Sequence, residues 1–189
     1  MRALGDLGLT WGRDLNRQLV QLERLVSGDE ATQLIPATAK KLEPALRELT
    51  GTTAKYSVRV ETVDVDDYWS YWLDGAGREA RLRFNRRHAA FTTVQVRQFA
   101  IHELLGHALQ YASYAQACSS DRRCLGPAVV GESAVPVMLE GLAQALPLFL
   151  TPTDAQLVAR VRLSHYLQLV RGELHLAVNA GVPLIECAN

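Results

Sequence analysis

His102, Glu103 and His107 fall within Phe99–Tyr111, FAIHELLGHALQY, a stretch whose remaining residues are mostly of the kind that fills a core. Two imidazoles and a carboxylate are costly to bury unless something compensates them. A zinc ion compensates them. Neutral imidazole nitrogens are good zinc ligands, and a Glu beside the first ligand is placed to act as base toward water. Without a metal the same pattern would be a core helix with two hydrogen-bonded histidines.

The spacing carries a structural expectation. In the ordinary H-E-x-x-H motif the ligands lie four apart, roughly 40° on the helical wheel. His102 and His107 lie five apart, which turns them roughly 140° from each other on a regular helix. One residue accommodated as a π-bulge restores a common face. The spacing therefore predicts a departure from α geometry near Leu104–Gly106, with Gly106 the residue best able to take a distorted backbone.

Zinc in a catalytic site takes a third protein ligand and keeps an open position. From Ala134 to Leu150 the chain reads AVPVMLEGLAQALPLFL, where Glu140 is the lone charge and Gln144 follows one turn later. A carboxylate amid such residues is neutralised or paired, which makes Glu140 the expected third ligand. Glu132 is its rival, but it sits beside Gly131 and Ser133, where a helix start is expected.

These residues resemble a known family. His102, Glu103, Gly106, His107, Leu109 and Gln110, then Glu140, Gly141 and Ala143, are similar to the H-E-x-x-P-G-H-H-L-Q and E-G-W-A patterns of the bacterial zincin-like proteins of domain-of-unknown-function family eight-eight-five. Arg83-Phe84-Asn85 resembles the short strand ending in Asn that precedes that family's helix, and His175–Gly181 resembles its late helix R-L-V-V-D-T-G. The likeness runs from about Val63 to Val182. Here the family's Pro is missing, its Trp is Leu142, and its late Arg and Asp are His175 and Asn179. The hexapeptide HELLGH is the form found in the dipeptidyl peptidase III family, also a two-His, one-Glu zinc peptidase. The resemblance implies a zincin-like helical domain with a gluzincin ligand set, and substrate or transition-state contacts from the late helix.

The elements that must position these groups follow from patterning. Leu15, Leu19, Leu22, Leu25 and Val26 recur at helical spacing, giving a first helix from about Arg13 to Val26. Ser27-Gly28-Asp29 starts a second, interrupted at Pro36 and Pro44 and stopped by Gly51. Tyr56–Val63 alternates as a strand. Asp64, Asp66 and Asp67 read as turn residues rather than a calcium loop. The aromatic group Tyr68, Trp69, Tyr71 and Trp72 precedes an Asp74-Gly75 turn, lining a pocket or packing under the sheet. Ala80–Asn85 is a second strand, paired with the first or forming an edge beside the cleft, where an extended substrate can add as a strand. The metal helix runs from Thr92-Thr93 to Ala117, a loop over Ala117–Gly131 covers the site, and the Glu140 helix ends or kinks at Pro147. Thr151-Pro152-Thr153-Asp154 starts the last long helix, which reaches Asn179.

The fold class expected is mainly α (α+β), with a small antiparallel sheet beside the active-site helix. Its 189 residues suit one domain, 1–189, with a helical scaffold over 1–52 and the sheet, metal-site and C-terminal helices over 53–189. A hydrophobic share of 48% with 20 basic and 20 acidic residues indicates a globular protein without an electrostatic case for nucleic acid or an anionic membrane. MRALGDLGLTWGRD lacks the pattern of a secretory signal, so a cytoplasmic protein is expected. Cys118 and Cys124 either close a small loop or stay reduced.

The function expected is a zinc-dependent hydrolase acting on a peptide or amide bond. His102, His107 and Glu140 hold zinc, Glu103 is the base, and His165, Tyr166 and His175 are candidates to stabilise the oxyanion, with Tyr111 in reserve. The partner is a small-molecule or short peptide substrate, with a homo-oligomer or a second chain as a further option. The alternatives are a related enzyme for a specialised small metabolite and a non-catalytic, zinc-stabilised module that binds a partner.

Overall fold

One helical run from Thr93 to Cys118 carries His102, Glu103 and His107, and helices and strands from both sides of it in the sequence pack on it. The computed structural model describes residues 2–119 and 135–187. Glu132, Cys124 and most of the loop expected over Ala117–Gly131 lie outside those residues. The described chain is a mainly helical α+β protein.

Short helices α1 (Arg2–Asp6) and α2 (Leu15–Leu22) open the chain. The first helix expected to reach Val26 ends earlier, because Glu23 turns extended and Leu25–Val26 becomes a two-residue strand, β1. The buried Glu23 carboxylate is the reason: it accepts a hydrogen bond from Thr92 Oγ1 and lies 3.9 Å from Arg160 Nε. These contacts need the chain to leave the helix. α3 (Gly28–Thr50) is capped by Ser27, whose side chain accepts from the Glu30 amide at 3.1 Å, and is closed by Gly51 at φ 69°. It passes unbroken through Pro36 and Pro44, against expectation. The carbonyls those prolines strand belong to Thr32 and Lys40, neither of them buried, so water can accept them. Meanwhile Ala31, Ile35, Ala39 and Leu46 bury the inner face, and a fully buried Ile or Leu contributes roughly 1.5–3 kcal/mol.

β2 (Ser57–Val63), β3 (Tyr71–Ala76) and β4 (Glu79–Asn85) form a sheet in the order β2-β4-β3. It is mixed rather than antiparallel: β3 and β4 make a hairpin, but β2 runs parallel to β4. Ala80–Asn85 is therefore the central strand, and the aromatic segment supplies an edge. Asp74 and Gly75, expected as a turn, lie within β3, where Gly75 at φ 130° leaves no room for a side chain against the Glu79 carbonyl. The turn falls at Gly77, φ 61°. Parallel pairing needs the chain to cross the end of β4 between β2 and β3, and Asn85 fixes that crossing. Its fully buried amide donates to the carbonyls of Val65 at 3.0 Å and Trp69 at 3.2 Å.

β5 (Phe91–Thr92) pairs antiparallel with β1. α4 (Thr93–Phe99) follows from a capping box between Thr92 and Gln95. The chain is then π-helical over Ala100–Ala108 and α-helical again in α5 (Leu109–Cys118). α6 (Val135–Leu150) runs through Pro147, and α7 (Ala155–Asn179) is capped by Asp154, accepting from the Leu157 amide at 3.0 Å. α8 (Leu184–Cys187) ends the described chain. One core joins α3, the sheet, the π-helical segment, α6 and the first half of α7, and a smaller cluster seats α1 and α2 on Leu163. Among the described residues, no helix is long and apolar enough to cross a membrane.

Candidate metal centre

The π-helical segment answers the five-residue spacing. It brings the rings of His102 and His107 to 4.7 Å between centroids, edge to face, rather than to separate sides of the helix. The wider turn spreads over the whole of Ala100–Ala108 instead of one bulge near Gly106. Gly106 lies inside this wider turn without a positive φ. What requires glycine there is α6. A methyl on Gly106 would stand 2.7 Å from Ala143 Cβ and 2.9 Å from its Cα.

That close approach delivers Glu140 from α6 to the histidines. Its carboxylate lies 3.0 Å from His107 Nε2 through one oxygen and 3.4 Å from His102 Nε2 through the other. Donors bound to zinc at about 2.0–2.1 Å on tetrahedral corners stand about 3.3–3.4 Å apart, so these separations suit one ion. Glu103 also faces this point: donor atoms of His102, Glu103 and His107 all lie within 4.8 Å of one another, and the group could hold a metal. The two carboxylates differ in what else they do. Glu103 is 3.7 Å from His102 Nε2 and is hydrogen-bonded by the Tyr71 hydroxyl, whereas Glu140 is nearer both rings. Either carboxylate can therefore complete a donor set with His102 and His107.

Supporting contacts orient the donors. His102 is hydrogen-bonded to the backbone of Ala143. His107 lies parallel to the Tyr111 ring at 5.8 Å, and its Nδ1 is buried without a hydrogen-bond partner among the described residues. Gln144 Nε2 donates to Glu140 Oε1 at 2.8 Å. Tyr71, on edge strand β3, packs edge-on against Phe99 at 4.6 Å, which sets its hydroxyl at Glu103.

Electrostatics separate the two acids. Burial and then the Glu140 charge push the Glu103 carboxyl up to about 7, against the Tyr71 hydrogen bond. Burial also works against ionised Glu140, but the Gln144 amide and the two imidazoles outweigh it and hold that carboxyl below its usual range. Burial depresses the His102 pKa despite the Glu140 charge, which favours the neutral ring a metal needs. Tyr71 is pushed up to about 12 by burial and both carboxylates, so it remains a donor.

Two adjoining cavities of about 440 and 540 Å³ share Tyr71, His102, Glu103 and Glu140 in their walls. Of the three late-helix candidates, His165 reaches the first cavity, and its Nε2 lies 3.2 Å from the Gln144 carbonyl. Tyr166 is turned away, edge-on to Trp11 at 6.0 Å. His175 is exposed, ten residues beyond His165 and about 15 Å further along the helix. Tyr71 was visible in the sequence only as one of four clustered aromatics. Its pairing with Glu103 depends on the strand order, which no local pattern reveals. Gln144 carried a signal, one turn from Glu140. Comparison of the chain with protein-family models, curated proteins and solved structures finds no match.

Proposed function

We propose that this chain is a zinc-dependent hydrolase of the gluzincin type that cleaves an amide or peptide bond. One observation carries the reading: Glu140 lies 3.0–3.4 Å from both His102 and His107 while a second carboxylate, the buried Glu103, stands beside them in an open cleft. A structural site would have no use for that second acid. The zincin resemblance, carried by His102-Glu103, Gly106-His107 and Glu140-Gly141, supports the same reading.

When bound by His102, His107 and Glu140, zinc supplies a Lewis acid that polarises a carbonyl and acidifies water. Glu103 takes the proton from the attacking water and passes it to the leaving amine. Tyr71 holds the Glu103 carboxylate in place through its hydroxyl. His165 is the histidine of the cavity wall outside the metal set, and so the candidate to donate to the developing oxyanion. Edge strand β3 borders the second cavity through Tyr71, Trp72 and Leu73, where an extended peptide can add as a strand.

Metal analysis of the purified protein and a panel of short blocked peptides test this reading. Zinc near one per chain, with cleavage abolished by a chelator and restored by zinc, is expected. A protein that takes up no zinc ends the proposal.

A further inference from the structure

The first cavity is unusual in what its wall lacks. Apart from the metal-set groups and Glu103, its described lining holds no acid, lysine or arginine. It holds glutamines, serines and His165 instead, over a floor of Phe91 and Phe99. Gln144 is occupied by Glu140 and Gln95 by the capping box. Gln98 on α4 and Gln168 on α7 have no hydrogen-bond partner among the described residues, so their amides are available to a ligand. Two nearby arginines are engaged elsewhere: Arg97 with Asp154 at 3.1 Å and Arg83 with Asp74 at 2.6 Å.

We infer that this cavity takes an uncharged, hydrogen-bonding part of the substrate, a carboxamide- or hydroxyl-bearing group on an apolar stem, and turns away a free carboxylate or ammonium. The inference rests on the hydrolase reading and names the substrate class of that site. An amide side chain both donates and accepts, so Gln98 and Gln168 satisfy a carboxamide or hydroxyl fully. A carboxylate entering there would leave water with no lysine or arginine in the described lining to meet it, only His165, and would face Glu103 and Glu140. An ammonium would find no acid beyond those already used. The apolar stem lies against the two phenylalanines, and about 440 Å³ holds a group of amino-acid size.

The test uses three peptidyl hydroxamates, identical except that the probing side chain ends in a carboxamide, a carboxylate or an ammonium. Their binding to the zinc-loaded protein is measured by calorimetry. The carboxamide should bind roughly tenfold or more tighter than either charged form. Replacement of the exposed Gln168 by Lys should raise affinity for the carboxylate form by about tenfold at unchanged zinc content. Equal or tighter binding of a charged form by the wild type overturns the inference, as does failure of all three to bind at full zinc occupancy. A chain that takes up no zinc overturns the hydrolase reading itself, and this inference with it.

Discussion

Gly106 and Ala143 are the contact through which the two halves of the candidate site find each other. Ala143 is fully buried, and a methyl placed on Gly106 would overlap both its Cβ and its Cα. One residue precedes His107 and the other follows Glu140 by three, so their separation sets the 3.0 Å between the His107 and Glu140 side chains.

Gly106→Ala should therefore act on metal affinity as well as on stability. The clash is with backbone and cannot be relieved by a rotamer, so α6 must move away. Overpacking of this kind costs about 1–3 kcal/mol. Denaturant titration should show a loss in that range, and zinc affinity should fall with it. A variant with unchanged affinity for zinc would mean that Glu140 does not depend on this contact.

Glu140 and Glu103 should separate cleanly by metal content. Glu140→Ala removes the carboxylate nearer both imidazoles and should lower affinity for zinc sharply. Glu103→Gln should leave zinc in place. Equilibrium dialysis against a chromogenic chelator measures both, and the opposite order would exchange the roles assigned to the two acids.

Part of this arrangement was legible in the chain, because it follows from arithmetic on one helix. A separation of five positions between His102 and His107 demands a wider turn than α, and Glu140 is conspicuous in an apolar segment. Helix starts at Ser27, Thr92 and Asp154 follow from short side chains bonding amides two or three residues on. The rest depends on contacts between distant segments. Gly106 reads locally as backbone freedom, whereas its cause is Ala143 on another helix. The parallel pairing of β2 with β4 is set by Asn85 gripping the crossing loop, and the early exit at Glu23 by Thr92 and Arg160. Which face of α7 meets the cleft depends on what packs beneath it, and that brings His165 in while leaving Tyr166 and His175 out.

The raised Glu103 carboxyl makes a prediction for the metal-free protein. Its folded value of about 7 lies above the ordinary 4.5, so the folded state binds this proton more tightly than the unfolded state. The contribution is complete below about pH 4.5 and is lost as pH rises through 7, on the order of 3 kcal/mol in all. His102 runs the other way: its depressed pKa adds stability as pH rises toward and past its unfolded value. The difference between wild type and Glu103→Gln isolates the first effect. In chelator, wild type should lose ground to the variant between pH 5 and 8. A difference that stays flat across that range would place the Glu103 carboxyl at an ordinary pKa.

Tyr71 gives the last prediction, and it separates positioning from bulk packing. Phe at this position keeps the edge-on contact with Phe99 and removes only the hydroxyl that binds Glu103. Stability should change little, since one hydrogen bond contributes about 0.5–1.5 kcal/mol net. Loss of a bond that holds a general base should lower kcat by roughly tenfold, short of the 10²–10⁴-fold expected for loss of the base itself in Glu103→Gln. If Tyr71 only orients Glu103, the two changes are not additive: Tyr71→Phe should have almost no further effect once Glu103 is Gln. Kinetics of the single and double variants on one cleaved peptide decide this. Independent, multiplying losses would show that the Tyr71 hydroxyl touches the substrate directly, as a catalytic group in its own right.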